Sequence, residues 1–281
     1  CTRPLFKKLT THTEQRRACQ SLLSPSSALG NCSQGKNLPL PYSEGASMNN
    51  QNIAEQMNGI GVKAVIAIGV TLILSLFLPL EAPEPNQNDA IHWLMNSHGI
   101  YVLGWTNQIV SMLAFSFAFA SAAWLVVNTH PVRTVISLAF TAMATMAFFI
   151  VKFVNVWSVP LMAKALASGA EASSTAATFL TAHAPSVAFG FGPSMDYLGF
   201  LLYAIAGLLI YRPMMKLSKS AKVAAIGLLL YGILYFATLL APYADILGQA
   251  DIEVAVLISA LPLLVSFVAL YFAFKGANKQ Q

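Results

Sequence analysis

From residue 48 onward the chain alternates long apolar runs with short polar interruptions. Six runs stand out, at 64–80, 100–127, 132–157, 196–211, 223–241 and 253–274. A helix rises about 1.5 Å per residue, so roughly 17 to 25 apolar residues cross ~30 Å of hydrocarbon. Every run but the fourth meets that length. The fourth is apolar only over 198–211 and is expected to recruit 195–197 or a locally thinner bilayer. None alternates apolar and polar residues one by one, as the strands of a membrane barrel do. The pattern predicts an all-α fold, a polytopic membrane helical bundle with six transmembrane helices.

The second and third runs are joined by only a few polar residues, Asn128, Thr129, His130 and Pro131, which predicts a tight hairpin. Asn107, Ser111, Ala114, Ala118, Ser121 and Ala122 recur at helical spacing in the first arm, so one face is small and polar. Ser137, Thr141, Ala144, Thr145, Lys152 and Asn155 do the same in the second, interrupted once by Phe148. Folding about Thr129 sets Ser121 opposite Ser137, Ala114 opposite Ala144, and Asn107 near Val151 and Lys152. Small faces of this kind let membrane helices approach closely and hydrogen bond across the seam.

Lys152 is the one basic residue inside a run and away from its basic end, and intramembrane ionisable groups mark functional sites. Its expected partner is Asp196, at the start of the fourth run. Asn107, Gln108 and Asn155 are expected as hydrogen-bonding neighbours and His98 as a more peripheral one. These six form the candidate ligand-binding site, a polar pocket open to the outer side. The competing explanations are that Lys152 snorkels to the headgroups, that Asp196 complements a helix N-terminus, and that Asn107 and Gln108 are packing contacts.

Charge fixes an orientation. Lys63, Arg133, Arg212, Lys216, Lys219, Lys222, Lys275 and Lys279 fall on one side of the six runs, against Lys152 and Lys164 on the other, where most acids collect. By the preference of basic loops for the cytoplasm, both termini are cytoplasmic. Trp93 and Trp157 at the outer boundary and Trp124 at the inner one agree with it. Composition matches the pattern, with 56% hydrophobic and 10% charged residues. The net charge of +5 arises mostly in residues 1–47, which carry +4, so it gives no argument for nucleic-acid binding.

Residues 1–47 also hold all three cysteines, which excludes a disulfide framework or thiolate metal site from the membrane part. The tail is Ser- and Thr-rich, without periodicity, and its character changes abruptly at Met48. The expectation is a disordered tail read through from upstream of a true start at Met48. The codons for Glu44–Gly45 resemble a bacterial ribosome-binding site at the right distance. An organellar transit peptide is the alternative. Residues 48–63 then form a cytoplasmic lead, 64–275 the transmembrane domain and 276–281 a cytoplasmic tail. The expected setting is a bacterial inner membrane.

Two outer connections are long. The first, 81–98, is rich in proline and asparagine, and its Asp89–His92 pair offers too few converging ligands for a metal site. The second, 158–192, spans 35 residues, with short helices expected at 160–167 and 172–182. It is expected to lie over the outer surface as a partial lid. Ser194 is the expected N-cap of the fourth run, and Pro262 is expected to kink the sixth.

The chain has no phosphate-binding glycine loop, no HExxH, no GxSxG and no histidines paired at i,i+4. No cofactor is implied. The first functional reading is small-solute binding or transport through the pocket. The second is a non-catalytic accessory or assembly protein, and the third a lipid-modifying membrane enzyme. The implied partners are the lipid bilayer and either other membrane helices or further copies of the chain.

Overall fold

A computed structural model describes residues 43–81, 87–169, 173–183, 190–248 and 251–278. The chain divides into two units, 1–44 and 45–281, and the fold set out below is that of the second. The expected disordered tail lies outside the described residues but for its last few, and so does the side chain of Asp89.

No strand occurs among the described residues. The helices are α1 (Ser43–Ser75), α2 (Gln87–Asn96), α3 (His98–Trp124), α4 (Pro131–Ala167), α5 (Ser173–His183), α6 (Phe191–Met214), α7 (Lys219–Leu240) and α8 (Ile252–Asn278), with a 3₁₀ turn at Ala241–Ala244. Six of them, α1, α3, α4, α6, α7 and α8, are long and apolar enough to cross a membrane. The protein is therefore an integral membrane helical bundle.

Several boundaries differ from expectation, for local reasons. α1 stops at Ser75, short of 80, because Pro79 lacks an N–H and disfavours helix in the residue before it. Upstream no proline intervenes, so the polar lead at 48–63 belongs to the same helix. α4 does not end at 157. It runs through Pro160 for 37 residues, about 55 Å, well beyond the hydrocarbon thickness. The proline is tolerated because Val159, Pro160 and Ala163 are all buried against neighbours. α6 begins at Phe191 with Gly190 as N-cap, so Ser194 is an interior residue whose N–H donates to Gly190 O at 3.0 Å. Pro193 fits in the first turn, where its missing N–H has no intrahelical partner to lose. The fourth span is thereby 24 residues long and needs no thinned bilayer. α8 likewise continues through Pro262, whose carbonyl accepts from Ser266 Oγ at 2.9 Å.

α3 packs on α4, α4 on α6, α6 on α7 and α7 on α8. α1 meets α3 through Asn107 and α8 through Phe274. The centre is filled by aromatic rings. Tyr203 of α6 stacks on Phe119 of α3 at 4.7 Å between centroids and on Phe148 of α4 at 5.6 Å. Phe267 of α8 meets Phe115 edge-on at 4.8 Å. The Tyr203 hydroxyl lies 2.6 Å from Ser116 Oγ, which lies 2.7 Å from Thr145 Oγ1. This short relay satisfies the polar atoms that three helices bring to the middle, where an unpaired hydroxyl is costly. The small faces anticipated on α3 and α4 are turned inward, while Leu113 and Phe117 face outward.

Candidate functional site

The polar residues anticipated as one pocket separate into three groups and an isolated His98. Lys152 and Asp196 form an ion pair between α4 and α6. Lys152 is 4% exposed, so its amine turns into the bundle and does not snorkel to the headgroups. Its Nζ lies 5.2 Å from the ring centre of Trp105 and 5.8 Å from that of Phe148. The ammonium is thus held by one carboxylate and two aromatic faces, each of which attracts a cation through its quadrupole. Asp196 is the sixth residue of α6, beyond the first turn, so complementing the helix N-terminus does not explain it. Its Oδ2 accepts from Lys152, while its Oδ1 is buried without a partner among the described residues.

Asn155, one turn further along α4, belongs to a neighbouring contact. Its Oδ1 accepts from the Tyr101 hydroxyl at 3.3 Å and its Nδ2 donates to Val151 O at 3.0 Å. Asn107 and Gln108 face away from Lys152. Asn107 Nδ2 donates to Thr71 O and to Ser75 Oγ, both at 3.0 Å, and Gln108 Nε2 donates to Ser75 Oγ at 3.0 Å. They clasp the last turn of α1, where a helix end leaves carbonyls in need of donors. His98 is exposed at the first residue of α3, and no hydrogen bond joins it to the ion pair.

The register across α3 and α4 is close to the anticipated one, but the paired residues differ. Ser116 meets Thr145, and Thr134 Oγ1 donates to Ala123 O at 3.1 Å. Ser137 does not pair with Ser121. α4 lies between α3 and α6, and Ser137 sits on its α6 side, donating to Ala206 O at 3.1 Å. Ser121 Oγ is left buried without a partner among the described residues.

The residues that build the surroundings of Lys152 are mostly aromatic. Trp93, Tyr101 and Trp105 contact one another edge-on in series, at 6.2 and 6.3 Å. Trp105 is fixed by donating from Nε1 to Leu80 O at 3.1 Å. Phe179 and Leu180 of α5 pack against the Tyr101–Trp105–Val159 cluster, so the small helix between α4 and α6 covers the aromatic layer beside the pair. On the other side Phe148 is fully buried and pressed onto Gly199 of α6. A Cβ there would stand 2.5 Å from the ring, so only glycine permits this approach. The signal for Phe148 was present in the sequence, as the single large residue interrupting a small face. Nothing marked Trp105, which is simply one more aromatic in an apolar run.

The amine of Lys152 is tightly packed, while Asp196 keeps 29% of its side chain exposed. The crevice beside Lys152, lined by Ile109, Met112, Leu113, Thr145, Phe149 and Lys152, has no room for a water molecule. No group of metal-ligating side chains occurs among the described residues. At the opposite end of the bundle lies a recess of about 290 Å³ between α1, the α3–α4 turn, the start of α7 and the end of α8.

These features define the class as a multi-span helical membrane protein with an internally neutralised ion pair. Compared with known proteins, the chain matches no family model, no curated protein and no solved structure.

Proposed function

We propose that this is a non-catalytic membrane protein that works by assembling with other membrane helices, and that Lys152–Asp196 locks α4 to α6 without binding a solute. The observation that carries the reading is the narrow crevice at Lys152, which has no water-sized space, together with the aromatic centre of the bundle. A solute path needs polar groups facing open space. Lys152 and Asp196 face each other, and the hydroxyls of Ser116, Tyr203 and Thr145 are engaged among themselves. A lipid-modifying reaction would need an acid and a base with substrate access, which the same pairing withholds.

The outward surface of α4 supports assembly. Phe149, Phe153 and Trp157 recur every fourth residue with nearly parallel rings, 6.1 and 6.3 Å apart, and Trp157 is 62% exposed. Rigid aromatic rows supply contact area at small entropic cost. The distribution of Lys and Arg supports a proposed orientation with both termini cytoplasmic, and a bacterial inner membrane is the setting proposed with it.

Native mass spectrometry of the protein released from its own membrane tests the assembly reading. A particle heavier than one chain is expected, and Phe153→Ala should weaken it. A single chain that passes a solute in liposomes, with flux lost in Lys152→Met, would overturn it. Reporter fusions at Asn128 and after Ala277 test the orientation, and both should report the cytoplasm. Solute binding is the second reading, favoured by the recess at the other end of the bundle.

A further inference from the structure

We propose that the recess at the basic end of the bundle is a binding site for a polyol phosphate, the chemistry shared by a glycerophospholipid headgroup and a free sugar or glycerol phosphate. This goes beyond the assembly reading and does not depend on it.

The seam between α1 and α8 is tight at Gly61, where a Cβ would stand 2.6 Å from the ring of Phe274. One turn toward the end of the bundle it opens, and Asn58 lines the space. Asn58 is 4% exposed as a residue, and no hydrogen bond holds its carboxamide among the described residues, its polar atoms keeping access to the recess. Buried carboxamides are otherwise paired. An unpaired one facing a cavity is poised for a ligand that both donates and accepts, as a hydroxyl does. The volume of about 290 Å³ equals roughly ten waters at ~30 Å³ each, near the lower bound for small-molecule sites.

The anionic part follows from the opposite wall. Ser218 and Ala221 line the recess at the start of the 22-residue helix α7. Ser218 Oγ accepts from Ala221 N at 3.2 Å, which leaves the first N–H groups of the helix, at Lys219 and Ser220, for another acceptor. A helix N-terminus favours an anion, and here it accompanies the buried, unpaired Asn58. No ionised side chain lines the recess, but Lys216, Lys219, Lys222 and Lys275 lie within two residues of lining positions, against one acid, Glu55. Trp124 lines it as well, at the helix end where interfacial tryptophans sit, so the recess lies at headgroup depth. Lysines near the membrane surface attract anionic headgroups to this depth, around a recess whose own lining is neutral.

The full chain is reconstituted in nanodiscs of equal phosphatidylglycerol and phosphatidylcholine, then released for native mass spectrometry, with free glycerol phosphate as a competing probe. One phosphatidylglycerol per chain should be retained in preference to phosphatidylcholine, or glycerol phosphate should bind at the same stoichiometry. Asn58→Leu should weaken retention about fivefold, the factor expected for loss of one neutral hydrogen bond. Ala54→Leu and Ala277→Leu fill the recess from its rim and should weaken it too, which keeps the test open if Asn58→Leu fails to fold. Displacement of the lipid by glycerol phosphate assigns a soluble source, and persistence of the lipid assigns the headgroup. The proposal is overturned if neither probe binds with a preference that the folded recess variants lose.

Discussion

Two buried asparagines at opposite ends of the bundle do opposite things. Asn155, 2% exposed, accepts from Tyr101 and donates to Val151 O. Asn58 is equally buried and bonds to neither backbone nor side chain among the described residues. At the end that holds Asn155 an ion pair packs against rings of α3 and α4, with Asp196 29% exposed and its Oδ1 without a partner among the described residues. The end that holds Asn58 is hollow. The same residue type is structural where the surrounding helices supply partners and receptive where they diverge. Burial of a polar group therefore does not locate a site until its partners are counted.

The largest expected effect lies at the ion pair. Asp196→Leu leaves the Lys152 ammonium buried with only two ring faces, and should cost about 3–5 kcal/mol in unfolding titrations in detergent. The double variant Lys152→Met/Asp196→Leu should recover most of that loss, because an apolar pair of similar volume needs no neutralisation. If the double variant is as unstable as the single, the pair does more than neutralise itself. Gly199→Ala forces a methyl against Phe148, which Phe200, Tyr203 and the Lys152 amine hem in, and should cost about 1–3 kcal/mol.

Asn155→Leu strands the Tyr101 hydroxyl and should cost about 1–3 kcal/mol, read by thermal melting. Asn107→Leu releases the last turn of α1 from α3. Its cost should be near 1 kcal/mol, since hydrogen bonds between membrane helices average about 0.6 kcal/mol each. It should also raise protease cleavage within 76–81. The smallest effect is expected at Asn58. Asn58→Leu removes no hydrogen bond and should shift stability by less than about 0.5 kcal/mol in protein stripped of lipid. A loss there as large as that of Asn155→Leu would mean that the two ends are built alike.

The Lys152–Asp196 contact was legible before any coordinates. Lys152 and Asp196 stood out because charge inside an apolar run is rare, and opposite charges at similar depth on different helices have few alternatives. The burial of Ser137, Thr141 and Ala144 followed from their helical spacing. Asn107 and Gln108 were misassigned because depth alone does not say which neighbour a side chain faces. Each helix of a bundle has several neighbours, and both residues turned to α1. Asn58 drew no notice, since one asparagine in a polar lead is unremarkable until the lead proves to be helix packed against α8.

Taken alone, the sequence determined the class, the number of spans and the burial of the small faces. These depend on the length of apolar runs and on a period of 3.6 residues, which are local properties of the chain. Which faces meet, whether polar groups find partners, and where space remains were decided only in the tertiary structure. Those depend on how closely helices approach one another, and that is set by residues far apart in sequence, such as Gly199 against Phe148 and Gly61 against Phe274.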